Sequence, residues 1–198
     1  MKLFYSATSP YVRKVMACAI ERGIVDRIEK LPSNPHASPA DLLAQNPLSK
    51  VPCLITDDGV SLFGSQLICE YLDTLGEAIP LFPGKHAQRW RALKFQSLGD
   101  GILDAAVPCR GELGRPKEDA RDAAIARYKA AMARTVDVLE SDVPGTGIDI
   151  GSITVACALG YMDFRYASDP WRPNHPKLTE WYDSFSQNAC MAQTAPKE

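Results

Sequence analysis

The sequence predicts a two-part protein, with an α/β domain followed by an all-helical domain. Short β-type runs alternate with helical periodicity through about residue 77, and the strand signals stop beyond a proline-rich segment. At 198 residues, the chain is long for one domain but sufficient for a compact pair. The predicted boundaries are residues 1–77 for the first domain, 78–84 for the linker and 85–198 for the helical domain.

Composition and charge exclude several classes of function. The hydrophobic content of 45% and charged content of 23% are ordinary for a soluble globular protein. A net charge of −2 gives no basic field for nucleic acid. No apolar run approaches the roughly 18 residues of a membrane span, and no signal-peptide core is visible, so we expect a cytoplasmic location. Scattered histidines and the lack of a C-x-x-C pair predict no metal site and buried, reduced cysteines.

The first helix has clear start and stop signals. Residues 2–6 form a β-type run, and Ser9 is a good N-cap, with Pro10 well placed in the first helical position. Gly23 is the expected residue just beyond the helix end. The apolar residues between them have the spacing of an amphipathic helix: Val12, Val15, Met16, Ala19 and Ile20.

The rest of the first half completes a four-stranded pattern. A second strand is predicted at residues 26–31 and a short helix at residues 38–45. Strands at 53–55 and 60–63 are joined through Asp57-Asp58-Gly59, a strong hairpin signal. The next helix is expected to start with Ser65 as its cap and to bury Leu67, Ile68, Tyr71, Leu72 and Leu75. The order β-α-β-α-β-β-α predicts a mixed sheet with helices on its faces.

The second half reads as helices only. A long helix is predicted at residues 86–113 with a kink or break at Pro108. The next, at 117–139, is amphipathic, and its apolar stripe includes Ile125, Tyr128, Met132, Thr135 and Leu139.

Two further helices complete the prediction for the second half. Asp149 and Ser152 have the spacing of an N-cap and an N3 residue, and they precede a helix that is apolar nearly all round, hence buried. A last helix is expected at residues 176–187.

The strongest functional signal lies in residues 50–72. Pro52 has no N–H, so a proline that opens a strand can leave a neighbouring carbonyl and N–H free for a ligand. An X-Pro bond such as Val51-Pro52 can also be cis. Ser65 offers a hydroxyl and orphan N–H groups at a helix start, which is a natural carboxylate site. Together these features predict a seat for an extended small molecule that ends in a carboxylate.

Four segments, in this order, resemble the cytosolic glutathione transferases, and the resemblance covers essentially the whole chain. They are Ser9-Pro10-Tyr11-Val12-Arg13-Lys14, the run from Asn46 to Pro52, Ser65 with Ile68, Tyr71 and Leu72, and Asp149 to Ile153 with residues 158–165. The resemblance implies a thioredoxin-like first domain, a bacterial-type serine active site and glutathione as co-substrate, with no tightly bound cofactor. It also implies a homodimer.

The resemblance assigns roles to residues of the first domain. Ser9 would donate to the glutathione sulfur and favour its thiolate, although Ser6 and Thr8 are alternatives and Ser9 can be a plain N-cap. Val51, beside Pro52, would pair its backbone with the cysteinyl part. Ser65 with its N–H, next to Gly64, would hold the γ-glutamyl carboxylate. Lys50 would pair with the glycyl carboxylate, the alternative being a solvated surface lysine.

Two further expectations concern the strength of glutathione binding and the place of the electrophile. Many relatives carry an acidic residue or glutamine where Gly64 stands, and glycine has no side chain for the ligand amino group, so weaker glutathione binding is expected. The electrophile pocket is expected between the domains, with candidate liners Tyr11, Leu103, Val107, Arg110 and Tyr166.

Three other functions compete with conjugation of glutathione to a hydrophobic electrophile. One is a glutathione-dependent reductase, peroxidase or dehalogenase, against which the missing cysteine at Ser9 argues, because serine forms no mixed disulfide. Another is a non-catalytic interaction protein on the same fold. A thioredoxin-like redox enzyme would need a cysteine in the turn at residues 9–12. Cys53, directly after Pro52, is expected to be a structural, inward-pointing thiol.

Overall fold

A computed structural model of the protein describes residues 1–84 and 86–196. Lys85, Lys197 and Glu198, which belong to the predicted helical domain, lie outside this part of the chain. Within the described residues, no helix is long and apolar enough to cross a membrane. The same residues contain no group of three or more His, Cys, Asp or Glu side chains that is arranged to hold a metal ion.

The described chain divides into two units. The first unit contains Met1–His86 together with the segment that begins at Ala189, and the second contains Ala87–Asn188. The domain boundaries drawn from the sequence remain a prediction. The segment that begins at Ala189 joins the first unit through packing, which sequence periodicity does not reveal.

The first unit contains the predicted mixed sheet. Its four strands are β1 (Lys2–Tyr5), β2 (Glu29–Pro32), β3 (Cys53–Ile55) and β4 (Ser61–Phe63), in the spatial order β2-β1-β3-β4. Strand β1 pairs with β2 in parallel and with β3 antiparallel, and β3 pairs with β4 antiparallel. The predicted fold class is therefore confirmed.

Three helices of the first unit follow the predicted order: α1 (Pro10–Glu21), α2 (Ala40–Gln45) and α3 (Ser65–Asp73). Gly23, with φ of 69°, ends α1 in the left-handed region that favours glycine. Gly59 also adopts the left-handed region, in the hairpin turn, where its φ is 80°.

Two local predictions in the first unit were wrong. The segment predicted as strand 26–31 begins with a 3₁₀ turn at Val25–Arg27, so β2 starts only at Glu29. In α3, Leu67 is half exposed, whereas Cys69 is completely buried. Burial in α3 follows the i, i+3, i+4, i+7 stripe from Ser65 through Ile68 and Cys69, and Leu67 lies to one side of that stripe.

The second unit is helical, as predicted. Its helices are α4 (His86–Leu113, with His86 assigned to the first unit), α5 (Asp119–Ser141), α6 (Ile150–Arg165) and α7 (Pro176–Phe185). In α5, Met132 and Leu139 are buried as expected, together with Val136. A further short helix, α8 (Ala189–Gln193), was not predicted and belongs to the first unit.

Helix α4 continues through Pro108, so the expected break does not occur. Proline removes one backbone hydrogen bond from a helix, and the carbonyl four residues earlier loses its partner. Buried residues on both sides of the proline, Ala105, Ala106 and Cys109, hold the two halves in one packed helix. Packing therefore outweighs the local cost.

Helix α6 is the centre of the second unit. Every residue from Ile150 to Met162 is buried, which confirms the prediction of a helix with apolar surface all round. Its start is closed by the predicted box, in which Asp149 Oδ1 accepts from Ser152 N at 2.8 Å and Ser152 Oγ accepts from Asp149 N at 2.9 Å. Helices α4 and α6 approach closely, since a Cβ added to Gly151 would lie 2.4 Å from the Ala92 carbonyl oxygen.

Candidate functional site

Three chain segments reach one edge of the sheet in the first unit. The register places Phe4 of β1 opposite Cys53 of β3, and Cys53 opposite Phe63 of β4. Because β3 runs against both neighbours, the end of β1, the start of β3 and the end of β4 share that edge. The three strands span about 10 Å at a spacing of about 4.8 Å. We call this region the ligand edge; it comprises residues 6–9, 50–52 and 64–65.

Ser9 lies at the β1 side of the ligand edge. It is half-buried and occupies the N-cap of α1, where its backbone is extended and its Oγ accepts from Val12 N at 3.3 Å. That is a long hydrogen bond, so the cap holds the helix start only weakly. The hydroxyl proton of Ser9 remains available to a ligand atom, and the N–H groups of the first turn make this position electropositive.

Val51 and Pro52 lie at the centre of the ligand edge. The Val51-Pro52 peptide bond is cis. Val51 is half-buried, and among residues 1–84 and 86–196 its backbone N–H and C=O have no hydrogen-bond partner. A partly buried backbone with both groups free is uncommon, because such groups are usually satisfied. This arrangement suits a ligand that pairs with the chain as a short strand does.

The loop that presents Val51 is held by a residue that the sequence analysis did not single out. Asn46 is 1% exposed, and its side chain donates from Nδ2 to the Lys50 carbonyl at 2.8 Å while Oδ1 accepts from Leu48 N at 3.0 Å. Asparagine before a turn commonly bonds its own backbone two residues on, and this pattern was the available signal.

The third part of the ligand edge is the start of α3. Gly64, not Ser65, occupies the N-cap, with φ of 87°, and no side chain caps the helix. The prediction placed the cap one residue late, because serine is the better cap on average but only glycine readily takes this φ. Ser65 is therefore the first helical residue; it is 6% exposed, and its hydroxyl has no partner among the described residues.

Lys50 is exposed and forms no ion pair within the described residues. It follows Ser49, whose φ is 50° and whose Oγ donates to the Pro35 carbonyl at 3.0 Å, so the loop just before it is fixed. Its ammonium group is therefore available to an anionic ligand group.

Cys53 lies directly beneath the ligand edge and is closed to it. The side chain is completely buried in a cluster with Phe4 and Leu42. Burial raises the pKa of this thiol to about 11, so it stays protonated at neutral pH. The thiol packs as a small apolar group.

The candidate electrophile residues are distributed over both units. Tyr11 is half-buried in α1. In the second unit Leu103 has no exposed surface, Val107 is half-buried and Arg110 is exposed.

Tyr166, the remaining candidate, is almost fully buried in the second unit. It donates from its hydroxyl to the Ala106 carbonyl at 2.6 Å. Burial, followed by the interaction of the phenol with Cys109, raises the pKa of this phenol.

Comparison with known proteins identifies both halves of the chain. Residues 8–75 match the family model described as the glutathione S-transferase N-terminal domain, and residues 118–184 match the glutathione S-transferase C-terminal domain. The chain is 34% identical over 202 aligned residues to the uncharacterized GST-like protein YibF of Escherichia coli K12, covering 99% of this chain and 98% of that protein.

Two solved structures from Pseudomonas fluorescens Pf-5 share the whole fold. A glutathione transferase family member with bound glutathione is 39% identical with a TM-score of 0.95, covering 100% of this chain and 99% of that one. A second structure, with bound S-(propanoic acid)-glutathione, is 38% identical with a TM-score of 0.90, covering 100% of both chains. With these relatives and both family models in agreement, the chain belongs to the glutathione S-transferase family.

Proposed function

We propose that this protein is a glutathione transferase that binds glutathione along the ligand edge and conjugates it to a hydrophobic electrophile. The observation that carries the proposal is the free backbone of Val51 between two helix starts, those of α1 and α3. An extended tripeptide is about 10 Å long, which matches the span of the three strands.

The orientation of glutathione follows from charge. The start of α3 has no side-chain cap, so its N–H groups and the Ser65 hydroxyl suit the γ-glutamyl carboxylate. The cysteinyl part then pairs with Val51, and the sulfur reaches Ser9. Lys50 is placed to attract the glycyl carboxylate. Pro52 and Gly64 complete the seat, since neither projects a polar side chain into it.

Ser9 provides the chemistry in this proposal. A free thiol has a pKa of roughly 8.5, so little thiolate exists at neutral pH. A hydroxyl that donates to the sulfur stabilises the charged form and lowers that pKa, and the dipole of α1 acts in the same direction. The thiolate attacks the electrophilic carbon, a carbon–sulfur bond forms, and the leaving group departs with the electron pair of the bond that breaks.

The bound ligands of the two related structures support this proposal. Both are structures of the same Pseudomonas fluorescens family member: one holds glutathione, and the other holds S-(propanoic acid)-glutathione. The latter has the form of a conjugation product.

In this chain we assign the second substrate to Tyr11 in the first unit and to Val107, Arg110 and Tyr166 in the helical unit. Because Leu103 has no exposed surface, its proposed role is to support α4, the helix that carries Val107 and Arg110. We also propose that the protein acts as a homodimer.

The first test is calorimetric titration with reduced glutathione, in which the wild-type protein is compared with the Ser65→Ala variant. We expect binding that weakens about tenfold in the variant, which is the loss expected when one hydrogen bond to a charged group is removed. No heat of binding at millimolar glutathione, with normal folding, would contradict the proposal and favour an interaction protein.

The second test is conjugation of an activated aryl halide, followed by absorbance. Ser9→Ala should lower the rate about 10- to 100-fold at neutral pH, because the thiolate loses its donor. Ser6→Ala and Thr8→Ala are matched controls and should retain the rate. Turnover of a disulfide or peroxide substrate without conjugation would instead favour a reductase or peroxidase.

A further inference from the structure

We propose that Arg13 supplies the positive charge that stabilises the glutathione thiolate at the start of α1, a role that rests on the function proposed above. Ser9 is the side chain proposed to donate to the sulfur, and Arg13 would act on the same atom through its charge. Arg13 is one helical turn beyond Ser9 and, unlike an ordinary surface arginine, is buried with no counterion among residues 1–84 and 86–196.

The environment of the Arg13 guanidinium is unusual. The residue is 8% exposed. Nη2 donates to the Met191 carbonyl at 3.2 Å, while Nε and Nη1 are buried and have no hydrogen-bond partner in the described part of the chain. Burying an arginine costs free energy unless its charge is compensated, and a single neutral carbonyl compensates it only in part. The positive charge of Arg13 is therefore not balanced by a negative group among the described residues.

The neighbouring elements do not provide that partner within the described residues. Helix α1 packs against α3, α8 and the 3₁₀ turn at Val25–Arg27. No carboxylate on these elements forms an ion pair with Arg13. Helix α8 carries no charged side chain. The titratable groups on α1 and on the elements packed against it are Tyr11, Lys14, Cys18, Glu21, Asp26, Arg27, Cys69, Glu70, Tyr71, Asp73 and Cys190.

The position of Arg13 relative to Ser9 follows from the helix itself. Arg13 N donates to the Ser9 carbonyl at 3.0 Å, which closes the first turn of α1. Side chains four residues apart lie on one face, and each leans toward the helix N-terminus. The backbone therefore places Arg13 in the first turn of α1, directly after the Ser9 cap. The charge of Arg13 adds to the positive end of the helix dipole there.

A bound thiolate would balance this charge. An opposite charge within a few ångströms lowers the pKa of an acid by about 1 to 3 units. Since Arg13 acts on the sulfur through space and Ser9 by direct hydrogen bonding, removing each should raise the thiol pKa separately. Arg13 is accordingly a charge-supplying residue whose effect depends on pH. The hydrogen bond to Met191 also ties α8 to α1, which is a structural role. The experiment must distinguish this role from the effect of the Arg13 charge on the sulfur.

The experiment measures the pKa of glutathione bound to the full-length protein, from thiolate absorbance in the ultraviolet as pH is raised. We compare the wild-type protein with Arg13→Met, Arg13→Lys and Arg27→Met. Arg13→Met should raise the bound thiol pKa by about 1 unit, and Arg13→Lys should leave it near the wild-type value. Arg27→Met removes the same charge from an exposed position of the first unit and should not change it.

The pH profile of conjugation gives the second measurement. Arg13→Met should be about tenfold slower than wild type near pH 6.5, and the two rates should converge above pH 9, where glutathione is ionised in both. An unchanged thiol pKa in Arg13→Met would overturn the inference, as would a rate reduced equally at every pH, since that is the signature of a structural role. Wild-type protein that binds no glutathione would refute the proposed function instead.

Discussion

The starts of α3 and α6 differ in how their backbone N–H groups are used. At α6, Asp149 and Ser152 bond each other's backbone, and the helix is buried from Ile150 onward. At α3, Gly64 provides no side-chain cap and the Ser65 hydroxyl has no partner among the described residues. A helix start must satisfy these N–H groups somehow. The closed start at α6 stabilises the fold, whereas the open start at α3 is suited to an anionic ligand.

The largest expected effect comes from Gly151→Ala, which breaks the closed start. A Cβ at this position would lie 2.4 Å from the Ala92 carbonyl oxygen and 2.7 Å from the Phe95 Cβ. Because the first of these is a backbone atom, a helix must shift, and we expect a loss of about 3 kcal/mol in the free energy of unfolding. Urea unfolding followed by circular dichroism measures it.

The matched control for this substitution is Gly101→Ala, also in a helix of the second unit. An added Cβ there meets no atom within 4 Å. Alanine is the better helix former by up to about 1 kcal/mol, so this variant should be slightly more stable than wild type. Equal destabilisation of the two variants would show that the close approach of α4 and α6 is not what requires glycine.

The second prediction compares the two helix starts directly. Asp149→Ala should lower the free energy of unfolding by about 1 to 2 kcal/mol, because the cap at α6 is lost. Ser65→Ala should change it by less than about 0.5 kcal/mol and should instead weaken glutathione binding, because no intramolecular bond is removed. Asp149→Asn keeps an acceptor and should stay near wild type. Similar stability losses at Asp149 and Ser65 would contradict the distinction between closed and open starts.

Features set by local sequence were predictable, and features set by packing were not. The box of Asp149 and Ser152 was predicted because its chemistry is complete within four residues. The fold class followed in the same way from periodicity and turn signals. Helix α8 and the buried guanidinium of Arg13 were missed, because both depend on contact between residues about 180 positions apart.

The ligand edge contains features that the local sequence predicts and features that it does not. Val51, Pro52 and Ser65 could be nominated from the sequence, since a proline opening a strand and a serine near a helix start have local meanings. The exact cap could not be predicted, because Gly64 and Ser65 are both acceptable caps. The choice between them depends on the φ of 87° at residue 64. Asn46 acts through loop geometry, which spacing alone does not reveal.

The smallest expected effect concerns the reactivity of cysteine thiols at the ligand edge. Although Cys53 follows Pro52, burial raises its pKa to about 11, so at pH 8 the thiolate fraction is about 0.1%. All six cysteines are free and buried, and the folded protein should therefore react negligibly with iodoacetamide at pH 8.

Ser9→Cys places a thiol at the start of α1, which lies on the ligand edge. The dipole of α1 lowers a thiol pKa at its N-terminus, so this cysteine should be alkylated at pH 7 at least tenfold faster than any native one. Mass spectrometry of digested protein after timed alkylation assigns the modified residue. Because the pKa of Cys53 is about 11, its alkylation should accelerate throughout as the pH is raised from 7 to 9. Alkylation of the new cysteine should level off once its thiol is ionised. Rapid alkylation of Cys53 at pH 7 would mean that the strand start is open as well, and that the ligand edge is not restricted to its two helix starts and the Val51 backbone.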